Sequence, residues 1–318
     1  MAGKWLSVRR EYLLRLSTRL LARRASAHRE DGFIVVAVLW ILGSLAVLIS
    51  IYAIYVTNAA VSLRVNDDRV QAEALVSAAL ELTAYQLTAV EEKSRPLQGH
   101  FTFRMGRGGV TVEFRSEAAR IDLNVAPKEL LAGLFATLGA KYADAEYYAD
   151  RIIGWRSKGE GDNRSKEITA YRTAGLSYVP RQASFANVGE LWLVLGLPPV
   201  LVERALPFVT VFSGLPTVDV LDARPEVVAS LPGMSADRLY AVLSQRGEGP
   251  QNAQFVLGLL GPAQSAATIE GSKAARVTVH ISFDDGRRVG AEAVILPLKD
   301  ADEPFRILSW QDDFDGSS

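Results

Sequence analysis

The sequence of 318 residues contains no cysteine. Disulfide bonds, thiolate metal ligands and thiol redox chemistry are therefore excluded. Histidine is scarce as well, because His28, His100 and His280 are the only three and do not cluster in the sequence. No glycine-rich phosphate loop follows a strand pattern, and no pair of carboxylates stands out as an acid and a base. We therefore expect no catalytic residues and a protein that is not an enzyme.

An excess of positive charge is also missing. The formal net charge is −1, and it becomes −6 without residues 1–32, which hold eight basic and three acidic residues. Proteins that bind nucleic acid present basic surfaces, so we expect no nucleic-acid partner. Residues 231–235 resemble the turn of a helix-hairpin-helix motif, but the neighbouring Asp237 and Arg238 cancel in charge. We interpret this segment as a hairpin that packs within the protein.

A long run without charge covers residues 33–63. Its most apolar part, residues 33–56, meets the length of about 20 residues that a helix needs to cross a bilayer. A single spanning segment must be helical, because lipid offers the backbone no hydrogen-bond partners. The basic residues 1–32 favour a cytoplasmic N-terminus, with the chain after the span on the other side. We predict a single membrane pass.

The run is too long for the apolar region of a secretory signal peptide, which is about 7–15 residues. A plain signal anchor fits, and so does an anchor that is cut at its cytoplasmic end. At that end Gly32 precedes Phe33 behind the basic leader. The junction resembles the processing site of type IV prepilins and type II secretion pseudopilins. The resemblance implies a prepilin peptidase that cleaves after Gly32, removes residues 1–32 and methylates the new N-terminal Phe33.

Two features depart from most members of that family. The leader is long, and residues 1–32 either include an upstream false start or form a helix on the membrane surface. The fifth residue of the mature chain is Ala37, where most pilins and pseudopilins carry glutamate. In the family this carboxylate pairs with the terminal amine of a neighbouring subunit. The minor pseudopilin K lacks the glutamate and is larger than its relatives, and Ala37 and the chain length agree with both properties.

A second resemblance lies in residues 119–131, which read ARIDLNVAPKELL. They resemble a run of pseudopilin K of the form R-I-N-L-N-T-A-P-x-E-L-L, with Asp122 and Val125 as the departures. Residues 171–214 and the closing Leu-Ser-Trp at 308–310 are also similar to that family. The resemblance therefore points to the type II secretion system minor pseudopilin K (general secretion pathway protein K) family and covers residues 31–310.

The resemblance and the residue patterns together predict an α+β pseudopilin fold. Its long N-terminal helix has a transmembrane half, residues 33–56, and a second half that packs on a small antiparallel sheet. Alternating apolar residues predict a strand hairpin around residues 101–114 and further strands within residues 277–310. We assign residues 57–118 to the pseudopilin helix and the first strands. Residues 272–318 are assigned to C-terminal strands that complete the sheet.

Residues 119–271 are expected to form a large helical domain inserted between these strands. Within it, residues 121–131 (IDLNVAPKELL) align without gaps on residues 218–228 (VDVLDARPEVV). This internal repeat predicts that one strand-to-helix motif is used twice. Residues 250–271 are rich in glutamine, alanine and glycine, and they are predicted to be a loose connection.

Relatives in the pseudopilin K family bind calcium through an acidic loop of the helical domain. In the matching residues 156–167 the candidate calcium ligands are Glu160, Asp162, Asn163 and Glu167. Calcium prefers six to eight oxygen ligands with enough negative charge. The same loop contains four basic residues, which are Arg156, Lys158, Arg164 and Lys166. A calcium site and a solvated charged loop both remain open, so no cofactor is certain.

The resemblance implies a structural and assembly subunit at the tip of the type II secretion pseudopilus, which supports export of folded periplasmic proteins across the outer membrane. Such a subunit spans the bacterial inner membrane once, with its N-terminus in the cytoplasm and most of the chain in the periplasm. The implied partners are other minor pseudopilins and pseudopilus subunits, the prepilin peptidase and secreted substrate proteins. The alternative is a membrane-anchored periplasmic binding module or enzyme, which would show a pocket of polar groups and retain residues 1–32.

Overall fold

The computed structural model of the chain describes residues 31–90, 95–158, 162–246, 252–299 and 301–313. Two compact units are divided between Val70 and Gln71. The α-helices of the described residues are α1 (Asp31–Thr88), α2 (Lys128–Thr137), α3 (Tyr142–Arg156), α4 (Asp162–Thr173), α5 (Pro199–Ala205), α6 (Pro225–Ala229), α7 (Ala236–Gln245) and α8 (Ala253–Leu259). The strands are β1 (Gln98–Met105), β2 (Gly108–Ser116), β3 (Ile121–Asp122), β4 (Val209–Thr210), β5 (Val218–Asp219), β6 (Ala267–Thr268), β7 (Ala275–Phe283), β8 (Arg288–Pro297) and β9 (Phe305–Asp313).

The part of α1 that follows Val70 carries one apolar stripe, because its buried residues recur every three or four positions. These residues are Ala72, Leu75, Val76, Ala79, Leu80, Ala84 and Leu87. The stripe and the sheet form one hydrophobic core. Thr83 is buried in the same stripe, and its hydroxyl donates a 2.8 Å hydrogen bond to the carbonyl oxygen of Ala79. The helix therefore buries this hydroxyl without leaving it unpaired.

Five strands form one antiparallel sheet in the order β1-β2-β7-β8-β9. The strands before the helical region and the strands after it therefore share one sheet, as the sequence pattern predicted. Val112 in β2 stands opposite Phe101 in β1 and opposite Val279 in β7. Alternate residues of a strand face the same side, so this row belongs to the face that α1 covers. The predicted α+β class is confirmed by this arrangement.

The residues between β2 and β7 are mainly helical and have a hydrophobic core of their own. The ring of Trp155 lies 6.1 Å from that of Tyr171 and 6.2 Å from that of Phe185. Tyr171 is fully buried, and its hydroxyl accepts a 2.9 Å hydrogen bond from the N–H of Leu195. Burial raises the pKa of this hydroxyl to about 12. The division of residues 71–318 into a sheet part and an inserted helical domain stays a prediction.

The predicted loose connection is wrong for residues 252–271. This segment contains α8, a 3-10 helix at Gly261–Ala266 and β6. Val256, Leu260 and Ala263 are fully buried in the helical core. Their spacing of four and three residues is helical, but the small residues and glutamines around them weaken the apolar pattern in the sequence. Tertiary packing therefore orders a segment whose local composition favours a loop.

Candidate functional site

The predicted cleavage junction lies at the start of α1. Gly32 and Phe33 are among the first residues of α1 that the structure describes. The side chain of Phe33 is 77% exposed. Cleavage between the two residues stays a prediction.

One helix of the described residues is long and apolar enough to cross a membrane, at Phe33–Asn58. Hydroxyl groups inside it are paired within the helix. Ser44, Ser50 and Thr57 each donate a 2.8 Å hydrogen bond to the carbonyl oxygen four residues earlier. Ala37 lies one turn after Phe33 and contributes only a methyl group. The segment is consistent with a single-pass membrane anchor, because it brings no charged and few polar groups into lipid.

The predicted calcium loop is partly helical, because Arg156 ends α3 and the candidates Asp162, Asn163 and Glu167 belong to α4. Glu160 lies outside the described residues, and so do the side chains of Asp162 and Asn163. Glu167 is described, and one of its carboxylate oxygens lies 2.5 Å from a terminal guanidinium nitrogen of Arg151. Within the described part of the chain, no three His, Asp or Glu side chains are grouped to hold a metal ion. The structure therefore places one of the four candidates, and it places that one in an ion pair.

The position of Glu167 depends on a glycine in the neighbouring helix. A Cβ atom at Gly154 in α3 would lie 1.9 Å from Oε1 of Glu167. The missing side chain lets the carboxylate reach Arg151 between α3 and α4. Burial raises the pKa of Glu167, and the adjacent guanidinium of Arg151 opposes that rise. The geometry supports an ion pair between α3 and α4. The carboxylate of Glu167 is therefore already paired with the guanidinium of Arg151.

The two copies of the sequence repeat have the same backbone structure. In the first copy β3 pairs in parallel with β4, and in the second copy β5 pairs in parallel with β6. The N–H of Leu123 donates to the carbonyl oxygen of Thr210 at 2.8 Å. The N–H of the equivalent Val220 donates to the carbonyl oxygen of Thr268 at 3.0 Å. Each copy is therefore an extended entry followed by a helix, closed by a short partner strand from later in the chain.

An aspartate organises the turn of each copy. Oδ1 of Asp122 accepts the N–H of Asn124 at 2.8 Å, and Oδ1 of Asp219 accepts the N–H of Leu221 at 3.0 Å. Such a bond from an aspartate to the N–H two residues later closes the turn that leads into the helix. Both aspartates are buried. The second carboxylate oxygen, Oδ2, also needs a hydrogen-bond donor when it is buried. The two copies differ in whether Oδ2 has one.

In each copy, an arginine at the C-terminal end of the next long helix donates hydrogen bonds to backbone carbonyl oxygens of the turn. Arg156 donates to the carbonyl oxygens of Leu123 at 2.5 Å and Ala126 at 2.7 Å. Arg246 donates to the carbonyl oxygen of Ala223 at 2.5 Å, and Ala223 is the equivalent of Ala126. The guanidinium groups thus satisfy backbone carbonyl oxygens in the turns that precede the short helices. Arg156, which sequence reasoning assigned to the calcium loop, therefore has a structural role.

Residues 115–214 match the family model for type II secretion system (T2SS), protein K. The chain is therefore related to type II secretion protein K. The matched segment begins at the end of β2 and ends at Gly214, whose N–H donates a 2.7 Å hydrogen bond to Oδ2 of Asp122. The protein K match thus contains the complete first copy of the motif and the loop that closes it. The resemblance inferred from residues 119–131 is confirmed.

The protein K fold is also found among solved structures. A chain in the crystal structure of the GspK-GspI-GspJ complex from the type 2 secretion system of enterotoxigenic Escherichia coli matches with a TM-score of 0.59. It is 16% identical, and the alignment covers 79% of this chain and 98% of that chain. The likeness at this identity concerns the fold. No curated protein matches the sequence significantly.

The second copy of the motif, which lies outside the protein K match, differs at its aspartate. Oδ2 of Asp122 accepts hydrogen bonds from the hydroxyl of Ser213 at 3.2 Å and from the N–H of Gly214. Oδ2 of Asp219 is buried, and it accepts no hydrogen bond from any residue that the structure describes. A buried carboxylate oxygen without a donor destabilises the charged form. The first copy therefore holds a satisfied carboxylate and the second an unsatisfied one.

The residues around Asp219 explain its proton affinity. Burial raises its pKa to about 7, the negative charge of Asp222 adds to the rise, and the positive charge of Arg246 opposes it. Burial also raises the pKa of Asp222 to about 6, against the positive charge of Arg115, whose Nε lies 3.3 Å away. Both carboxyl groups therefore bind a proton more tightly than an exposed aspartate does.

Sequence reasoning did not identify this difference, although a signal for it exists. Residues 209–214 (VTVFSG) and 267–272 (ATIEGS) are the closing segments of the two copies. The hydroxyls of Thr210 and Thr268 both accept the N–H two residues later, at 3.1 and 3.0 Å. Gly271 replaces Ser213 in this alignment, so the hydroxyl donor for the aspartate is missing. The other donor is lost for a reason that the alignment does not show, because the N–H of Ser272, the equivalent of Gly214, donates to Oγ of Ser116 at 2.9 Å.

Proposed function

We propose that the protein is a structural and assembly subunit at the tip of the type II secretion pseudopilus, where it supports export of folded periplasmic proteins across the outer membrane. The match of residues 115–214 to protein K carries this proposal. The solved complex with a similar fold contains GspK together with GspI and GspJ. We therefore take other minor pseudopilins as the partners of this chain. A structural role of this kind requires no catalytic residues.

The tip position is supported by Ala37. In a subunit that stacks along the filament, an intramembrane glutamate offsets the terminal ammonium group of a neighbour. Each of these charges is costly alone in lipid, so the pair is useful only where both groups meet. A tip subunit has no subunit above it in the same register. Alanine at position 37 then avoids an unpaired carboxylate.

The proposed topology follows from charge and processing. Residues 1–32 stay in the cytoplasm because of their basic residues, and Phe33–Asn58 spans the inner membrane. The prepilin peptidase cleaves after Gly32 on the cytoplasmic side. The chain after the span folds in the periplasm, where the partners and the secreted substrates are located.

The test uses a strain that lacks the gene for this protein. We expect secretion to stop and to return when the full chain is supplied in trans. Affinity purification of the tagged chain from detergent-solubilised membranes should recover other minor pseudopilins in defined stoichiometry. The control is a chain in which residues 71–318 are replaced by an unrelated periplasmic domain, which should restore neither result. Normal secretion in the deletion strain, together with a chain that purifies alone and retains residues 1–32, would contradict the proposal and favour the membrane-anchored binding module or enzyme.

A further inference from the structure

A polar cleft of about 620 Å³ lies inside the unit of residues 71–318. One wall is the sheet face opposite α1, formed by β1, β2, β7 and β8, and the other wall belongs to the helical region. Four neighbouring strands are about 4.8 Å apart, so the cleft extends roughly 14 Å across the sheet. That length accommodates about four residues of extended polypeptide. The cleft is large enough for a peptide segment.

Its positive groups are concentrated in one row of the sheet. Arg115 stands opposite Gln98 in β1 and opposite Arg276 in β7. Glu113 lies two residues from Arg115 on the same face, in the next row. Two guanidinium groups therefore lie side by side on the sheet, and the helical wall adds Arg120 and Arg224.

Arg276 is already neutralised. Its Nε donates a 2.7 Å hydrogen bond to Oε1 of the buried Glu117, and a terminal nitrogen donates to Glu292. Glu117 in turn accepts from the hydroxyl of Thr210. These bonds join the sheet to the helical region and engage both Glu117 and Glu292 with Arg276. Glu113, in the next row of the sheet, is the other carboxylate among the residues that line the cleft.

Arg120, on the helical wall, has no such partner among the residues that the structure describes. Its guanidinium makes no hydrogen bond or ion pair with any residue that the structure describes. Burial lowers its pKa to about 10, and repulsion by Arg276 and Arg224 contributes in the same direction, against the attraction of Glu117 and Glu292. Arg224 lies 5.8 Å from the ring of Phe208 and is otherwise exposed. A partly buried guanidinium without an acceptor is unfavourable until an anion meets it.

We propose that this cleft binds an acidic segment of a partner protein, with one carboxylate seated on Arg120. A guanidinium group binds a carboxylate through two parallel hydrogen bonds, which favours carboxylates in an extended peptide over a neutral ligand. Residues of β1 line the cleft, and β1 is an edge strand among the strands described. An incoming segment can therefore approach along that edge. The inference concerns the chain itself and does not depend on its place in a pseudopilus.

The test measures peptide binding to the full chain in detergent micelles by fluorescence anisotropy. The probes are two labelled octapeptides, one of alternating glutamate and serine and one of alternating glutamine and serine. We expect the acidic peptide to bind at least tenfold more tightly than the neutral one, and to weaken as salt is added. Arg120→Gln should weaken acidic binding at least fivefold. The control Arg306→Gln removes the same charge from an exposed site on β9 and should change binding less than twofold.

The melting temperature of Arg120→Gln shows whether weaker binding reflects loss of the binding site or loss of the folded structure. Arg120→Gln removes a charge without a described acceptor, so its melting temperature should equal or exceed that of the original chain. Equal binding of the two peptides would overturn the proposal, and so would unchanged acidic binding in a folded Arg120→Gln variant. A competition experiment compares inorganic phosphate with unlabelled acidic peptide at matched ionic strength. If phosphate displaces the labelled peptide equally well, the cleft is a site for small anions, and the proposal is overturned.

Discussion

Gly133 and Ser230 touch each other and are equivalent residues of the two motif copies. A Cβ atom at Gly133 would lie 2.0 Å from the carbonyl oxygen of Ser230, which ends α6. The two residues are 97 positions apart, as are Ile121 and Val218 at the start of the copies. Both residues lie two positions beyond the aligned repeat, so the copies meet just after their aligned ends. The missing side chain lets α2 approach the end of α6.

The replacement Gly133→Ala should destabilise the helical region. Its Cβ would collide with backbone atoms of Ser230, which cannot rotate away as a side chain can. Overpacking of this kind costs about 1–3 kcal/mol, so the melting temperature should fall by roughly 2–12 °C. Circular dichroism of the full chain in detergent measures the change.

Gly258→Ala is the matched control for this replacement. Gly258 lies in α8, and nothing is within 4 Å of a Cβ atom placed there. Alanine is the better helix former, so this variant should be as stable as the original chain or more stable. A Gly133→Ala variant that melts at the same temperature as Gly258→Ala would contradict the close contact.

The pH dependence of stability should change in Asp219→Asn. The pKa of Asp219 is raised from 3.8 to about 7 in the folded chain, so the folded state binds the proton more tightly than the unfolded state. Its contribution to stability is therefore complete below pH 3.8 and is lost as pH rises through 7. Asparagine stays neutral. Between pH 5 and pH 8 the variant should gain up to about 3 kcal/mol relative to the original chain.

Urea unfolding at the two pH values measures that gain. Asp302→Asn is the control, because Asp302 is exposed before β9 and the same replacement there should leave the pH dependence unchanged. Parallel stability curves for Asp219→Asn and the original chain across this range would mean that Asp219 is charged throughout.

Cleavage at the start of α1 should depend on Gly32. Gly32→Val should leave the precursor uncut, because a branched side chain beside the scissile bond obstructs the peptidase. Mass spectrometry of the membrane-extracted protein distinguishes the full precursor from a chain that begins with methylated Phe33. Gly43→Val places the same side chain in the open surroundings of Gly43 in the same helix, and its processing should be normal. Normal processing of Gly32→Val would place the junction elsewhere.

Ala37→Glu should not improve assembly. A central charge in a membrane helix costs roughly 2.5–3.5 kcal/mol, and less near the interface. The carboxyl group of a tip subunit has no ammonium to meet, so the variant should be neutral or should impair initiation. Secretion and pseudopilus length in a complemented deletion strain are the measurements. Ala37→Leu separates the effect of charge from that of size. Repeated incorporation of Ala37→Glu along the filament, with better secretion, would remove the argument for the tip.

Calcium should not raise the melting temperature of the full chain. Glu167 is paired with Arg151, and basic residues are close to the other candidates in the sequence. A bound ion would stabilise the native state in proportion to its affinity, so scans with calcium and with a chelator compare the two cases. A rise of several degrees with calcium that disappears in Asp162→Ala would establish the site that we do not expect.

Much of the architecture could be predicted from local sequence patterns. The uncharged run behind Gly32 determines a helix that suits a membrane, because its composition leaves few alternatives. Alternation of apolar residues around Val112 and Val279 determines strands, since period two assigns one face to the core. Residues 119–131 carried the resemblance to protein K. The aligned repeat also predicted one motif used twice, and the matched hydrogen bonds of Asp122 and Asp219 agree with it.

Only the tertiary structure decided which charged groups are satisfied. Asp122 and Asp219 look alike in the repeat, yet one receives donors from Ser213 and Gly214 and the other receives none at its second oxygen. Arg120 was part of a recognised sequence run, and nothing in that run shows that it lacks an acceptor. The donors to Asp122 lie 91 and 92 positions away, and Arg276 lies 159 positions from Glu117. Local patterns determine elements, whereas the pairing of buried charges depends on how distant segments meet.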